Sequence, residues 1–330
     1  MKTIPSFLCV CAIALAAVGS VLSPYHVGRV SVRVVDEQGM PVANAAVGIE
    51  FSKNIPAGEG WGTRPFSITG QTDTNGMCSA EAEGNPSVYC AARKEGYYPT
   101  MGMDFMFTNV VGDRWEPWNP ILALVLRNVG NPVPMYAKRV ETLIPKSGEA
   151  YGFDLVAADW VHPAGKGEVS DLVVRVDGYW SNRVDNAATM TLNFANPLDG
   201  IQRMASNEFR GSAFTSPREA PEGGYQTTRT WRKIRQDTPG HRADVNVNDY
   251  SERMSYVFRV RTVTNEHGAV VSARYGKVRG DVKFGGASPE GSSFRFTYYL
   301  NPTPNDRNVE FDPARNLLKN LSSHEQVRDP

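Results

Sequence analysis

The sequence predicts an all-β protein. It should form two antiparallel β-sandwich domains, the second a larger sandwich or jelly roll, with a short C-terminal helix. Three observations predict this. Apolar residues recur at every second position in many short runs, the period of a half-buried strand. The runs are separated by Gly, Pro, Asn and Asp clusters, the residues that hairpin turns require. The chain has 330 residues, and roughly 100–200 residues per domain favours two domains over one. Hydrophobic residues at 41% and charged residues at 21% are ordinary for a chain that buries a core. No internal repeat and no long amphipathic helix stands out.

The first stretch, "MKTIPSFLCVCAIALAAVGSVLS", places one Lys before an apolar run and small residues after it. That is the pattern of a secretory signal peptide, residues 1–22, with cleavage near Ser20. A lipid anchor would need Cys9 or Cys11 at the end of the run, and apolar sequence continues past both. No later segment is apolar enough to span a bilayer. The mature chain is therefore expected to be secreted, periplasmic or displayed on the cell surface, without spanning the membrane. Cys78 and Cys90 remain, an even pair in an exported chain, which predicts a disulfide, with two buried free thiols as the other reading. Closing so short a loop is worth about 3 kcal/mol in the chain-entropy model.

The first domain is expected over 24–127. "GRVSVRVVDEQGMPVANAAVGIEF" alternates through Val30, Val32 and Val34, breaks at a Gly/Pro turn, and alternates again through Val47, Ile49 and Phe51. In "GQTDTNGMCSAEAEGNPSVYC", Asn75-Gly76 suits positive φ, and "EGNPS" is a second turn with the two cysteines on the flanking strands. These residues carry a resemblance. "VRVVDEQGMPVANAAVGIEF", "TDTNGMCSAEAEG" and "VYCAARKEGYY" resemble the carboxypeptidase regulatory-like domain over roughly residues 28–98. The resemblance implies an immunoglobulin- or transthyretin-like sandwich and a non-catalytic accessory role. This chain departs from it in the insertion "SKNIPAGEGWGTRPFSITG" and the cysteine pair. Further on, Trp115 and Trp118 flank Pro117. Aromatics beside a proline at a domain seam read as packing residues, with a glycan platform as the other reading. "LALVLR" is the expected last strand, and 128–137 the linker.

The second domain is expected over 138–330. "YGFDLVAADWV", "VSDLVVRVDGYW", "AATMTLNFA", "YQTTRTWRKI", "MSYVFRVRTV", "AVVSARYGKVRGDVKF" and "SSFRFTYYL" alternate between turn-forming loops. The last run places Phe294, Phe296, Tyr298 and Leu300 on one face. Pro302 and Pro304 end it, because neither can donate to a sheet. "FDPARNLLKNL" then reads as a helix start, with Asp312 as N-cap, Pro313 in the first turn, and Leu317, Leu318 and Leu321 as an apolar stripe. A calcium loop through Asn305, Asp306 and Asp312 is the rival reading, without EF-hand spacing.

Lys+Arg and Asp+Glu number 35 each, so no bulk charge points to nucleic acid. The chain lacks G-x-S-x-G, H-E-x-x-H, a Walker loop and a zinc-binding H-x-x-E, and nothing calls for a metal or cofactor. His162 and His241 fall in turns. Two readings of function remain. A carbohydrate-active enzyme could pair Asp154 or Asp159 with Asp171 or Asp177, since glycoside hydrolysis needs two acids. Strand-edge acids are more often simply solvated. A binding or structural protein would instead use a basic sheet face. Arg259 and Arg261 share one parity; Lys277, Arg279 and Lys283 share another on the expected hairpin partner. Arg229, Trp231, Lys233 and Arg235 share a third. Cations beside aromatics suit an anionic glycan or cell-surface polymer; the plainer reading is a charged face that keeps a sheet in solution. The binding protein is the preferred expectation, with those nine residues as its surface.

Overall fold

The computed structural model describes residues 25–58, 60–204, 209, 211–237, 245–251, 254–288 and 290–330. The expected signal peptide, with Cys9 and Cys11, lies outside the described residues, as does His241. The protein is almost entirely β-structure, as its alternation predicts, in two stacked-sheet sandwiches. Among the described residues no helix is long and apolar enough to cross a membrane.

The first sandwich contains β1 (His26–Val35), β2 (Ala46–Ala57), β3 (Gly60–Gln71), β4 (Met77–Gly84), β5 (Ser87–Arg93), β6 (Tyr97–Tyr98), β7 (Thr100–Met106), β8 (Asn109–Val111), β9 (Arg114–Glu116), β10 (Ile121–Val125) and β11 (Arg127–Asn128). One sheet is built around β1, which pairs parallel to β10 and antiparallel to β4. The other runs β3-β2-β5-β7. Each strand contributes alternate residues to the shared core: Val30, Val32 and Val34 from β1, Val47, Ile49 and Phe51 from β2, and Leu122 and Leu124 from β10. Trp115 packs edge-on to His26, and its indole N–H donates to the Gly84 carbonyl at 2.9 Å, so it is a packing residue.

Here the expected disulfide is corrected: Cys78 and Cys90 are both free thiols. The "EGNPS" turn does not close a hairpin within one sheet. It carries the chain across the sandwich, so Cys78 lies beside β1 in one sheet and Cys90 beside β2 in the other. Burial, with a smaller contribution from Cys78, pushes the Cys90 thiol up to about 12.

The second sandwich contains β12 (Tyr136–Ile144), β13 (Ala150–Asp154), β14 (Asp159–Trp160), β15 (Leu172–Asn182), β16 (Asp185–Asn193), β17 (Gly200–Arg203), β18 (Thr228–Gln236), β19 (Val245–Asn248), β20 (Tyr256–Thr264), β21 (Val270–Phe284) and β22 (Ser292–Leu300). One sheet runs β12-β22-β21-β20-β17 and the other β14-β13-β15-β16-β18-β19, with antiparallel pairing throughout. Between them lies a core of Phe153, Trp160, Val176, Met190, Trp231, Tyr256, Phe258, Phe294 and Phe296. Gly276 is required there: a Cβ would stand 2.3 Å from both the Phe258 ring and the Tyr299 carbonyl.

The expected C-terminal helix is only a 3-10 turn, Pro313–Arg315. Asp312 does cap it, accepting from the Ala314 N–H at 2.9 Å. The helix stops because Asn316 takes extended geometry and brackets β12, donating to the Ala137 carbonyl at 2.8 Å and accepting from the Ala137 N–H at 3.2 Å. The anchors of the segment are therefore Phe311 and Val327, which pack with Met135, Ala137 and Tyr299 on the outer face of the β12–β22 pair. Leu317, Leu318 and Leu321 are only half-buried. Asn305 and Asp306, candidates for a metal loop, are engaged otherwise. The Asn305 side chain joins the Ala273 N–H to the Val271 carbonyl, and Asp306 accepts from Asn301 and the Asn308 N–H.

The sandwiches meet through ionic groups. Glu37 accepts from Arg127 at 2.8 Å and Arg218 at 2.6 Å. Arg218 also reaches Glu310 at 3.0 Å. Glu310 accepts from the Tyr98 hydroxyl and the Gly130 N–H, both at 2.7 Å. Burial alone would raise its carboxyl. These hydrogen bonds outweigh burial and hold it below the usual range. Arg127 donates to the Phe214 and Ser216 carbonyls and lies 4.4 Å from the Phe214 ring centroid.

Candidate anion-binding groove

The expected basic face is divided by the fold. Arg229, Trp231, Lys233 and Arg235 do share a parity, but it is the inner side of their sheet. Trp231 is 1% exposed, because its indole packs against Tyr256 and its N–H donates to Asp281 at 2.8 Å. It cannot stack on a ligand. Arg229 is held over the Trp231 and Tyr256 rings. Lys233 donates to the Phe284 carbonyl, and burial together with the Lys283 charge lowers its pKa. Arg235, at the rim, pairs with Asp237 at 3.0 Å.

Arg259, Lys277, Arg279 and Lys283 belong to the outer face of the other sheet, and much of that face is covered by the chain itself. Arg261 departs from the expected parity: with φ +56° at a break in the β20–β21 register it turns toward acids of the opposite sheet. Lys277 is 2% exposed, donating to Ser216 Oγ at 3.0 Å between the Phe214 and Tyr299 rings. Burial drives its amine well below the usual lysine range. Arg259 donates to the Leu198 and Glu222 carbonyls. Arg261 grips both Asp171, at 2.7 Å, and Asp154, at 2.9 Å.

That last cluster answers the question of paired acids. Asp154 and Asp171 do meet, but around one guanidinium. Asp154 also accepts the backbone N–H groups of Val156, Ala157, Glu168 and Val169. Burial opposes its ionisation, and these bonds win, holding its carboxyl below the usual range. Asp171 accepts the Leu155 N–H. Asp159 binds the turn N–H groups of Trp160 and Lys166, and Asp177 pairs with Arg175 on the surface.

The open part of the face carries a groove of about 330 Å³. It rests on two cross-strand rows set by register. Arg139 of β12 faces Thr297 of β22, which faces Arg279 of β21. One step along, Glu141 faces Arg295, which faces Lys283. Four cations thus line it with two acids, Glu141 and Asp281. Glu141 pairs with Arg295 at 2.7 Å, both more than half exposed. Asp281 turns inward. Its carboxylate accepts from Trp231, from the Tyr256 hydroxyl at 2.8 Å and from the Ser251 N–H at 2.9 Å. It therefore ties the two sheets to the segment carrying Tyr250, whose ring lies 4.7 Å from Lys283 Nζ and forms one wall.

A bulge shapes this wall. From Arg279 to Lys283 β21 advances four residues while β22 advances two. Gly280 takes φ +74°, which glycine adopts without strain. The two extra residues leave parity intact, so Lys283 still points outward with Arg279. Of the nine expected residues, the groove keeps Arg279 and Lys283. Arg139, Arg295 and Tyr250 were missed. Arg295 was within reach, because it has the opposite parity to Phe294 and Phe296.

No protein-family model matches the chain, and no curated protein matches it. Among solved structures, 3-chlorocatechol 1,2-dioxygenase from Rhodococcus opacus 1CP aligns at 12% identity over 32% of this chain and 60% of its own, with a TM-score of 0.23. Hydroxyquinol 1,2-dioxygenase from Pseudomonas putida DLL-E4 aligns at 12% identity over 33% and 58%, with a TM-score of 0.22. The alignment thus spans about three fifths of each dioxygenase. A "putative carbohydrate binding protein" from Bacteroides uniformis ATCC 8492 aligns at 14% identity over 82% and 97%, with a TM-score of 0.17.

Proposed function

We propose that this is an exported, non-catalytic protein of the cell surface or periplasm that binds an anionic glycan or polymer in the groove. In this proposal residues 28–98 form a carboxypeptidase regulatory-like accessory domain, and the second sandwich carries the binding surface. The observation that supports it is the convergence of Arg139, Arg279, Lys283 and Arg295 on one open groove, beside the Tyr250 ring. Opposite charge across several contacts attracts a carboxylated or sulfated polymer, and the aromatic wall adds contact that salt does not screen. Glycoside hydrolysis gains no support from Asp154 and Asp171, whose oxygens are engaged by Arg261 and backbone N–H groups.

The test is equilibrium binding of heparin and polygalacturonate oligosaccharides to the wild type and to Lys283→Ala/Arg295→Ala. The double variant should bind about tenfold or more weakly, at roughly 1 kcal/mol per lost contact. Wild type that binds neither ligand at low salt would contradict the proposal. Export is tested by N-terminal sequencing of protein recovered outside the cytoplasm; an intact Met1 would contradict it.

A further inference from the structure

The C-terminal segment that packs on the outer face of the β12–β22 pair also reaches a cation of the groove. Val327 is buried against Tyr299 and Phe311. The Arg139 N–H donates to the Glu325 carbonyl at 2.9 Å, and Lys138 pairs with Glu325 at 2.9 Å. The Tyr299 hydroxyl donates to the Asp329 carbonyl at 3.2 Å. These anchors deliver the Asp329 carboxylate onto the Arg279 guanidinium, while Asp329 itself stays 55% exposed. Arg279 belongs to the groove lining and Asp329 does not. The carboxylate therefore reaches a groove cation from outside.

We infer that Asp329 masks, in cis and from its edge, an anion subsite of the groove, and that a carboxylate or sulfate of the bound polymer displaces it from Arg279. This rests on the groove as the binding surface. The subsite comprises Arg279 and, one step across Thr297 in the same row, Arg139. Asp329 is a weak internal competitor: an exposed ion pair is easily exchanged for another anion. Its anchors hold it near, so its local concentration stays high. Ligand binding then requires only that Asp329 swing aside, with Val327 left in place.

The test compares retention and binding of heparin oligosaccharide by wild type, Asp329→Asn and Glu219→Gln. Glu219 pairs with Arg307 and does not line the groove. Its variant makes the same change in net charge, so it controls for bulk attraction. Asp329→Asn should bind about two- to fivefold more tightly than Glu219→Gln, the range expected when one exposed ion pair is removed as competitor. Adding Arg279→Gln should abolish that gain. Equal affinities for Asp329→Asn and Glu219→Gln overturn the inference while the groove stands. Absence of binding in all three overturns the groove reading, and the inference with it.

Discussion

Arg261 sets the clearest energetic expectation at the scale of single residues. It is 22% exposed, yet the Asp154 and Asp171 side chains it holds are 6% and 0% exposed. Arg261→Ala would leave two buried carboxylates without their cation, and loss of one partner from such a cluster costs about 3–5 kcal/mol. Urea unfolding should show a loss of that size, and a change below about 1 kcal/mol would mean that water reaches both acids. The cysteines give a second expectation. Folded protein should leave Cys90 unlabelled by a thiol reagent at pH 8, and denatured, unreduced protein should label at both Cys78 and Cys90. The Cys90 shift is upward, so the stability it contributes is present below pH 9 and is lost as the pH rises toward about 12. The residues also show why side was harder to read than parity. Alternation correctly grouped Arg229, Trp231, Lys233 and Arg235, but a row with one Trp among three cations does not say which way it points. Trp231 turned that row inward because Asp281, which also accepts from the Tyr256 hydroxyl, satisfies its N–H.

At the scale of elements, the C-terminal segment is a covering layer held by side chains far apart in sequence. Phe311 is fully buried, and Phe311→Ala should cost about 3–5 kcal/mol in thermal or urea unfolding. Glu325 offers a pH test. Hydrogen bonds from Lys138 and Ser322 bring its carboxyl from 4.5 down to about 2. A depressed folded value means that the stabilisation is present above about pH 4.5 and is lost as pH falls toward 2. Glu325→Gln at neutral pH should reproduce the effect of acid, speeding hydrogen exchange at the Arg139 amide bonded to the Glu325 carbonyl. Unchanged exchange would show that Val327 alone anchors the segment. The strands were legible because each covers a half-buried sheet and keeps period two. The helix was misread because Asp312-Pro313 signals a start, whereas its end depends on Asn316 meeting β12, nearly two hundred residues earlier in the chain.

At the scale of the whole molecule, two sandwiches with separate apolar cores are joined by Glu37, Arg127, Arg218 and Glu310. Calorimetry of the wild type should give one unfolding transition. Glu310→Ala, which leaves Tyr98 and Gly130 without their acceptor and removes one of the two carboxylates that hold Arg218, should separate it into two. The seam was illegible in sequence because its ions come from four distant segments. The groove was half legible for the same reason: β21 carries Arg279 and Lys283, while Arg139 and Arg295 join them only through strand register. The central claim is that this groove binds a polyanion through those four cations. It is tested most directly by the salt dependence of heparin oligosaccharide affinity in wild type and in Arg139→Ala/Lys283→Ala. Affinity should fall steeply with salt in the wild type, because each neutralised contact releases counterions, and the slope should flatten by about one to two in the double variant. Equal slopes for the two proteins would place the electrostatic contact elsewhere and contradict the claim.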